Sequence, residues 1–268
     1  MSTGNHGGSA SIAAPDYWWY RARADLLQTA LGGYVADAAR VLDVGSADGP
    51  SVEWLHGTGR HTALDIDPRG LGPGGVCGSA LALPFRSGSF DVVAAFDVLE
   101  HCEPEALALS ELARVLAPGG RLLLSVPAYQ WAWSDFDEEN GHHRRYTRRR
   151  ATQAVRAAGL HVERATYAFT SVFPLFAAER LARRARDRVW RRRPGAPADI
   201  VSLPEVSPLL ERVLIGLTAL DRTLLGSHDL PFGSSVLVAG SKPHAQAQPD
   251  GQPQGQPRAQ PVGPAHDR

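Results

Sequence analysis

Asp43, Gly45, Gly49 and Asp65 carry the first chemistry legible in this 268-residue sequence. Val41-Leu-Asp-Val-Gly-Ser-Ala-Asp-Gly49 is an aliphatic run that breaks into a glycine turn, and Leu64-Asp65-Ile66-Asp67 follows at the distance of a βαβ unit. Such a turn needs Gly45 so that backbone can approach a ligand with no Cβ in the way. Gly49 lets the next helix pack close to the strand. Asp65, ending the second strand, places a carboxylate where it can accept both hydroxyls of a ribose. A nucleoside-bearing cofactor is therefore expected here. The G-x-G-x-x-G spacing of nicotinamide sites is not met, and Asp43 stands inside the first strand, two residues before the first glycine. Both features argue against a nicotinamide oxidoreductase and for a cofactor with no phosphates to cradle.

A second group of reactive side chains lies in Pro127-Ala-Tyr-Gln-Trp-Ala-Trp-Ser-Asp-Phe-Asp-Glu-Glu-Asn-Gly-His-His-Arg-Arg-Tyr146. Loops beyond the carboxyl ends of parallel strands are where α/β enzymes place their substrate sites. The indoles of Trp131 and Trp133 suit a sugar ring or lipid, and Arg144 and Arg145 suit phosphate or carboxylate. Asp137 with His142 could remove a hydroxyl proton near neutral pH, with Tyr146 a third candidate catalytic group. Asp135, Asp137, His142 and His143 are also metal-ligand types. No i, i+4 histidine pair or cysteine cluster fixes a coordination geometry, so no metal is expected. Alternatively, Asp137 pairs with Arg144 or Arg145 to close the loop.

The acid, glycine and glycine at Asp43, Gly45 and Gly49 resemble the first motif of the class I S-adenosylmethionine-dependent methyltransferases. The resemblance continues through Gly78-Ser-Ala-Leu-Ala-Leu-Pro-Phe85, Ser89-Phe-Asp-Val-Val-Ala-Ala-Phe-Asp-Val-Leu-Glu-His101 and Leu116-Ala-Pro-Gly-Gly-Arg-Leu-Leu-Leu-Ser-Val-Pro127, in the family's order. It implies S-adenosylmethionine as cofactor, with Asp43, Gly45, Ser46 and Gly49 at the methionine end and Asp65 and Ile66 at the ribose. Ser79 and Ala80 would flank the adenine, and Phe96 would meet the cofactor's edge. His101 either borders cofactor or substrate, or caps and packs the helix start. Ser79 stands where the family commonly has an acid, and a hydroxyl accepts a hydrogen bond more weakly and without charge.

Trp131, Trp133, Ser134, Asp137, His142, Arg144, Arg145 and Tyr146 resemble a pattern in methyltransferases found near glycan and lipid-linked sugar pathways. Asp16-Tyr-Trp-Trp-Tyr-Arg-Ala-Arg23 resembles the aromatic pair and arginine that often precede the first strand in these enzymes. On a helix Trp19 and Arg23 share a face, either as a substrate-side lid, with Trp19 excluding water from the sulfonium and Arg21 or Arg23 meeting the cofactor carboxylate, or as an anchor for the sheet edge. The implied reaction is methyl transfer to an oxygen of a small-molecule, glycan or lipid-linked acceptor, expected to be anionic. The alternative is a non-catalytic S-adenosylmethionine-binding module that acts through its helical insert.

Positioning these residues requires a particular scaffold. Residues 41–44, 62–66, 92–96, 121–126, 160–167 and 234–239 read as strands, with helices at 106–116 and 147–158 and a turn at Pro118-Gly119-Gly120. Alternation of this kind calls for a parallel sheet covered on both faces. The expected fold is Rossmann-like: seven mostly parallel strands with helices on both faces, the last strand antiparallel and a helical insert before it. The domain is expected over 16–242 with the insert at about 170–230, and Gly-, Ser- and Gln/Pro-rich compositions mark 1–15 and 243–268 as disordered tails. The insert reads as a basic helix, 177–193, and an amphipathic one with Leu210, Val213, Leu214, Leu217, Leu220 and Leu224 at helical spacing. Either it caps the sheet domain or it lies on a membrane.

Composition sets the outer bounds. Hydrophobic residues make up 43% of the chain, enough for one domain with a full core. The formal charge is zero, yet Arg144 to Arg193 holds fifteen arginines, which is either a flank for an anionic neighbour or a solvated helix face. Balanced charge and the lack of a nucleic-acid-binding motif argue against a nucleic acid partner. No stretch reaches the eighteen or so apolar residues of a membrane span. Cys77 and Cys102 are too few for a disulfide framework, and nothing reads as a signal peptide. The expected compartment is cytoplasmic, with peripheral contact at the inner face of the membrane as the alternative; the oligomeric state is not legible.

Overall fold

The computed structural model describes residues 17–45, 50–56, 59–189 and 206–244. Ser46 and Gly49 fall outside these residues, as do the first tail and most of the second. The described strands are β1 (Arg40–Val44), β2 (Arg60–Asp65), β3 (Val76–Cys77), β4 (Phe90–Phe96), β5 (Leu116–Pro127), β6 (His161–Ala168) and β7 (Ser235–Ser241). They form one sheet in the order β3-β2-β1-β4-β5-β7-β6. All neighbours pair in parallel except β7, which runs antiparallel to both β5 and β6. The expected Rossmann-like class is what the chain adopts.

β1 is buried in four of its five residues and β4 in six of seven. Strands covered on both faces read as unbroken aliphatic runs, and Val-Leu-Asp-Val and Phe-Asp-Val-Val-Ala-Ala-Phe do so apart from one aspartate each. The strand order reverses between β1 and β4, which opens a crevice at the carboxyl edge, where ligands bind in sheets of this kind.

Helices α1 (Trp18–Leu31), α2 (Glu105–Val115), α3 (Asp135–Glu139), α4 (Arg148–Ala157), α5 (Phe173–Val189) and α6 (Pro208–Leu225) accompany the sheet. Local chemistry fixes their starts. Thr147 Oγ1 accepts from the Arg150 amide to open α4, and Ser207 Oγ accepts from Leu210 to open α6, with Pro208 as its first residue. α5 begins four residues before the expected 177, because Thr170 and Ser171 turn the chain directly after β6. The Phe173 amide donates to the Thr170 carbonyl.

α5 and α6 join β6 to β7. α6 packs on α1, with Leu214 and Leu225 buried between them and the sheet. Its other face leaves Leu209, Leu210, Val213, Leu220 and Leu224 exposed. No helix among the described residues is long and apolar enough to cross a membrane.

The Pro118-Gly119-Gly120 segment is not a turn before the strand, as the sequence suggests, but an irregularity inside it. Phe90 pairs with Leu116, and the next partners are Val92 and Arg121. Gly119, at φ +78°, absorbs the excess chain, and its amide donates to the Lys242 carbonyl at 2.9 Å. β2 also begins earlier than expected, at Arg60, and ends at Asp65 rather than Ile66.

Candidate functional site

The carboxyl ends of β1, β2, β4, β5 and β6 share one edge of the sheet, and left-handed backbone collects there. Asp97 after β4, Tyr129 after β5 and Phe169 after β6 have φ of 57°, 62° and 63°. Residues held in that region cost free energy and gather where function demands the geometry. Gly45, at φ +78°, closes β1 by donating to the Leu64 carbonyl at 2.7 Å. A Cβ on Gly45 would lie 2.5 Å from Val98 Cγ2, so the ends of β1 and β4 touch through a missing side chain.

On the β2 side, Asp65 is 9% exposed, and its Oδ1 accepts from the Asp67 amide at 2.8 Å. Ile66 next to it stands 75% exposed, an apolar surface uncovered by the described residues. Across the end of β3, Ala80 is buried and Ser79 closes a small turn, its Oγ accepting from the Leu81 amide at 3.2 Å. Asp43 is buried within β1, and its Oδ2, 3.7 Å from His61 Nε2, has no hydrogen-bond partner among the described residues. An acid at a strand end, an exposed aliphatic face beside it and an orphaned buried carboxylate oxygen one strand away fit a nucleoside with a polar extension. Phe96 ends β4 buried and tilted against Trp54, 6.2 Å between centroids.

The strand end of β4 is held by charge. Asp97 accepts from Ser125 Oγ through Oδ1 at 2.9 Å and pairs through Oδ2 with Arg23 at 2.8 Å. Arg23 is itself buried and lies 5.6 Å from the Trp19 ring, which stacks on Phe169. Trp19 and Arg23 thus share a face, as expected, and that face anchors α1 to the ends of β4 and β6. Arg21 points instead to Glu211 at the surface.

Glu100 follows in the same loop. It is 1% exposed, and burial, then the charge of Asp97, raises its carboxyl well above the ordinary range. His101 next to it is exposed at the chain surface, its ring 4.6 Å from that of His142. Desolvation of the ring and then its His142 neighbour lower it to about 4, so it is uncharged at neutral pH.

The loop after β5 is built around Asp137. Ser134 and Asp137 form a capping box that starts α3. Asp137 also accepts from Arg145 Nε at 2.7 Å and bonds His142 Nδ1 at 2.8 Å. Burial alone would raise this acid, but the bonds from His142 and Arg145 outweigh it and hold the group down to about 2.

The two arginines expected to bind an anion are spent internally. Arg145 closes the loop on Asp137 and the Ala128 carbonyl, and Arg144 pairs with Glu103 and Glu105 and donates to the Cys102 carbonyl. Tyr146 is 1% exposed, with Glu105 and the Arg150 guanidinium as its neighbours. It sits in the core rather than beside His142. Trp133 donates to Glu138 at the surface, while Trp131 joins Tyr129, Tyr167 and Phe173 in an aromatic wall. Burial and then a hydrogen bond with Tyr167 push the Tyr129 hydroxyl up to about 12, so it stays protonated.

Of the four groups weighed as metal ligands, Asp137 and His142 bond each other, but Asp135 and His143 join no cluster with metal-ligand spacing among the described residues. In the sequence Asp97 and Glu100 are visible only as members of the run after the fourth strand and Ser125 only as a strand residue, none with a role of its own. The available signal was the spacing acid, two residues, Glu-His immediately after a strand.

Residues 42–124 match the family described as "Methyltransferase domain". The malonyl-[acyl-carrier protein] O-methyltransferase of Methylococcus capsulatus is 33% identical over 148 residues, 45% of this chain and 51% of that protein. The demethylmenaquinone methyltransferase of Mycolicibacterium vanbaalenii is 33% identical over 116 residues, 41% of this chain and 48% of that protein. The chain spans about half the length, or less, of the curated relatives it matches. Among solved structures, Haemonchus contortus phosphoethanolamine N-methyltransferase 2 in complex with S-adenosyl-L-methionine superimposes with TM-score 0.53 at 15% identity, covering 90% of this chain and 59% of that one. The [4+2]-cyclase SpnF does so with TM-score 0.51 at 18% identity, covering 83% and 81%.

Proposed function

We propose that this chain, which belongs to the class I S-adenosylmethionine-dependent methyltransferase family, transfers a methyl group to an oxygen of a small-molecule or lipid-linked acceptor. One observation carries the reading: Asp65 at the end of β2 and the Asp137–His142 pair after β5 open on the same edge of the sheet. Three strand spacings separate them, about 14 Å, with the β1–β4 crevice between.

In this reading Asp65 holds the ribose hydroxyls, and Ile66, Ser79 and Ala80 border the base. Asp43 and Gly45, with Ser46 and Gly49 beyond the described residues, take the methionine end, and Phe96 and His101 border the sulfonium. When bound, S-adenosylmethionine supplies an activated methyl group, so the protein's task is alignment and control of one proton. His142 has its Nδ1 engaged by Asp137, which leaves Nε2 for the acceptor side, where it favours loss of the hydroxyl proton. The aromatic wall of Tyr129, Trp131 and Phe173 bounds the acceptor and excludes water. With Arg144 and Arg145 spent within the loop, recognition of the acceptor rests on shape and apolar contact more than on charge.

Calorimetry with S-adenosylmethionine and its demethylated product, followed by transfer of a labelled methyl group into a cell extract, tests this directly. Asp65→Ala should weaken cofactor binding by about tenfold or more, the loss of a charge-assisted pair of hydrogen bonds. Undiminished affinity in that variant would mean the ribose lies elsewhere. Binding without any labelled acceptor would favour a non-catalytic module.

A further inference from the structure

We propose that Glu100, His101 and His142 form a binding site for one divalent transition-metal cation on the acceptor side of the sheet edge. A carboxylate oxygen of Glu100 and one ring nitrogen of each histidine lie within 4.8 Å of one another. Small side-chain rotations bring such a triangle to the ~2.0–2.2 Å nitrogen and oxygen distances of a zinc-type centre.

Three features distinguish this cluster from chance proximity. Glu100 is 1% exposed, and its Oε2 has no hydrogen-bond partner among the described residues. An unpaired carboxylate oxygen in such a place is costly, and a cation offsets that cost. Both imidazoles already have a protein partner, His142 through Nδ1 in the Asp137 carboxylate at 2.8 Å and His101 in the Asn140 backbone. A carboxylate or carbonyl on the far nitrogen is the outer arrangement that fixes the tautomer of metal-binding histidines. Asp137 is in turn fixed by Arg145 and the Ser134 amide, so the support is rigid. Finally, Glu100 lies inside while His101 reaches solvent, which leaves three protein ligands with a coordination position open on the exposed side. Closed four-ligand sites serve structure, and open three-ligand sites serve chemistry.

Two imidazoles and one carboxylate suit Zn²⁺, Mn²⁺, Fe²⁺ or Co²⁺ better than Mg²⁺ or Ca²⁺, which favour all-oxygen sets. Binding of the ion is independent of the methyl-transfer reading, whereas its purpose rests on it. The open position would hold an acceptor oxygen, whose proton the ion would make easier to lose to solvent on the exposed side, and His142, with one nitrogen on Asp137 and the other on the ion, would then serve as ligand in place of base.

The test uses the tag-free 268-residue chain, stripped by chelator and titrated with CoCl₂ and ZnCl₂ by visible absorption and calorimetry. S-adenosylmethionine binding is measured in parallel. The expected result is uptake of one equivalent, cobalt bands that zinc abolishes, and affinity about tenfold or more lower in Glu100→Gln, His101→Ala, His142→Ala and the supporting Asp137→Asn. Far-UV circular dichroism reports folding, and the exposed His101 keeps the test usable if the Glu100 variant does not fold. Absence of stoichiometric uptake overturns the proposal, as does uptake unchanged in the His101→Ala/His142→Ala double variant. Cobalt uptake without S-adenosylmethionine binding supports the ion site and sinks the methyl-transfer reading; the reverse result does the opposite.

Discussion

Removing the Asp137 carboxylate would strip partners from Arg145, His142 and the Ser134 amide together. Breaking a buried pair from one side leaves the other charge uncompensated, so Asp137→Ala should cost about 3–5 kcal/mol, read by denaturant unfolding. The same residue predicts a pH dependence. Its folded value, about 2, lies below the ordinary aspartate value, so its contribution is fully present above pH ~4 and is lost as pH falls toward 2. The size at stake is about 2 kcal/mol, and a wild-type acid limb matching that of Asp137→Asn would show that the acid does not hold the loop. His142→Ala should slow methyl transfer while leaving cofactor affinity unchanged, measured by single turnover and calorimetry. The Asp137–His142 partnership was legible because both residues stand in one short polar run. Glu100 was not, because its importance comes from burial against a loop that begins after a different strand.

At the scale of elements, the crevice depends on how closely the ends of β1 and β4 approach. Gly45→Ala faces two separable penalties. A left-handed L-residue costs about 1–2 kcal/mol, and the new Cβ would meet Val98 Cγ2 at 2.5 Å. Adding Val98→Ala should recover the steric part and not the backbone part, so the double variant should melt between wild type and the single variant. Full recovery would show that φ at Gly45 is not restrictive. Individual strands were legible because burial on both faces forces aliphatic runs, as in Val41–Val44 and Val92–Phe96. The Pro118-Gly-Gly segment misled for a physical reason. Its composition is that of a turn, and only the pairing of Gly119 and Gly120 with Lys242 keeps it within β5. The start of α5 was missed because the aromatic, proline-containing sequence Phe173-Pro-Leu-Phe176 carries little helical signal of its own.

The assembly of the whole molecule rests on contacts far apart in sequence, and Arg164 on β6 is the clearest of them. Its Nη1 donates to the Ala30 carbonyl at 2.9 Å and its Nη2 to Leu225 at 2.8 Å, while Nε bonds Asp229. One guanidinium therefore caps the carboxyl-terminal turns of α1 and α6 and fastens both to the sheet. Two effects compete for the credit. The Asp229 pair is partly exposed, and pairs of that kind contribute about 0–1 kcal/mol. The bonds to helix-end carbonyls are charge-assisted and shielded, at about 1.5–3 kcal/mol each, so they should dominate. Arg164→Met, which keeps the aliphatic stem, should then lose about 2–4 kcal/mol and lower Tm by roughly 5–15 °C. Asp229→Asn should be nearly neutral. Limited proteolysis should cut the Arg164→Met variant faster at α6 than wild type, since α6 lies beyond the lost anchor. Equal losses in the two variants would assign the stabilisation to the ion pair. An unchanged Tm in Arg164→Met would mean that α1 and α6 are held to the sheet by apolar packing around Leu26, Leu27 and Leu214 alone.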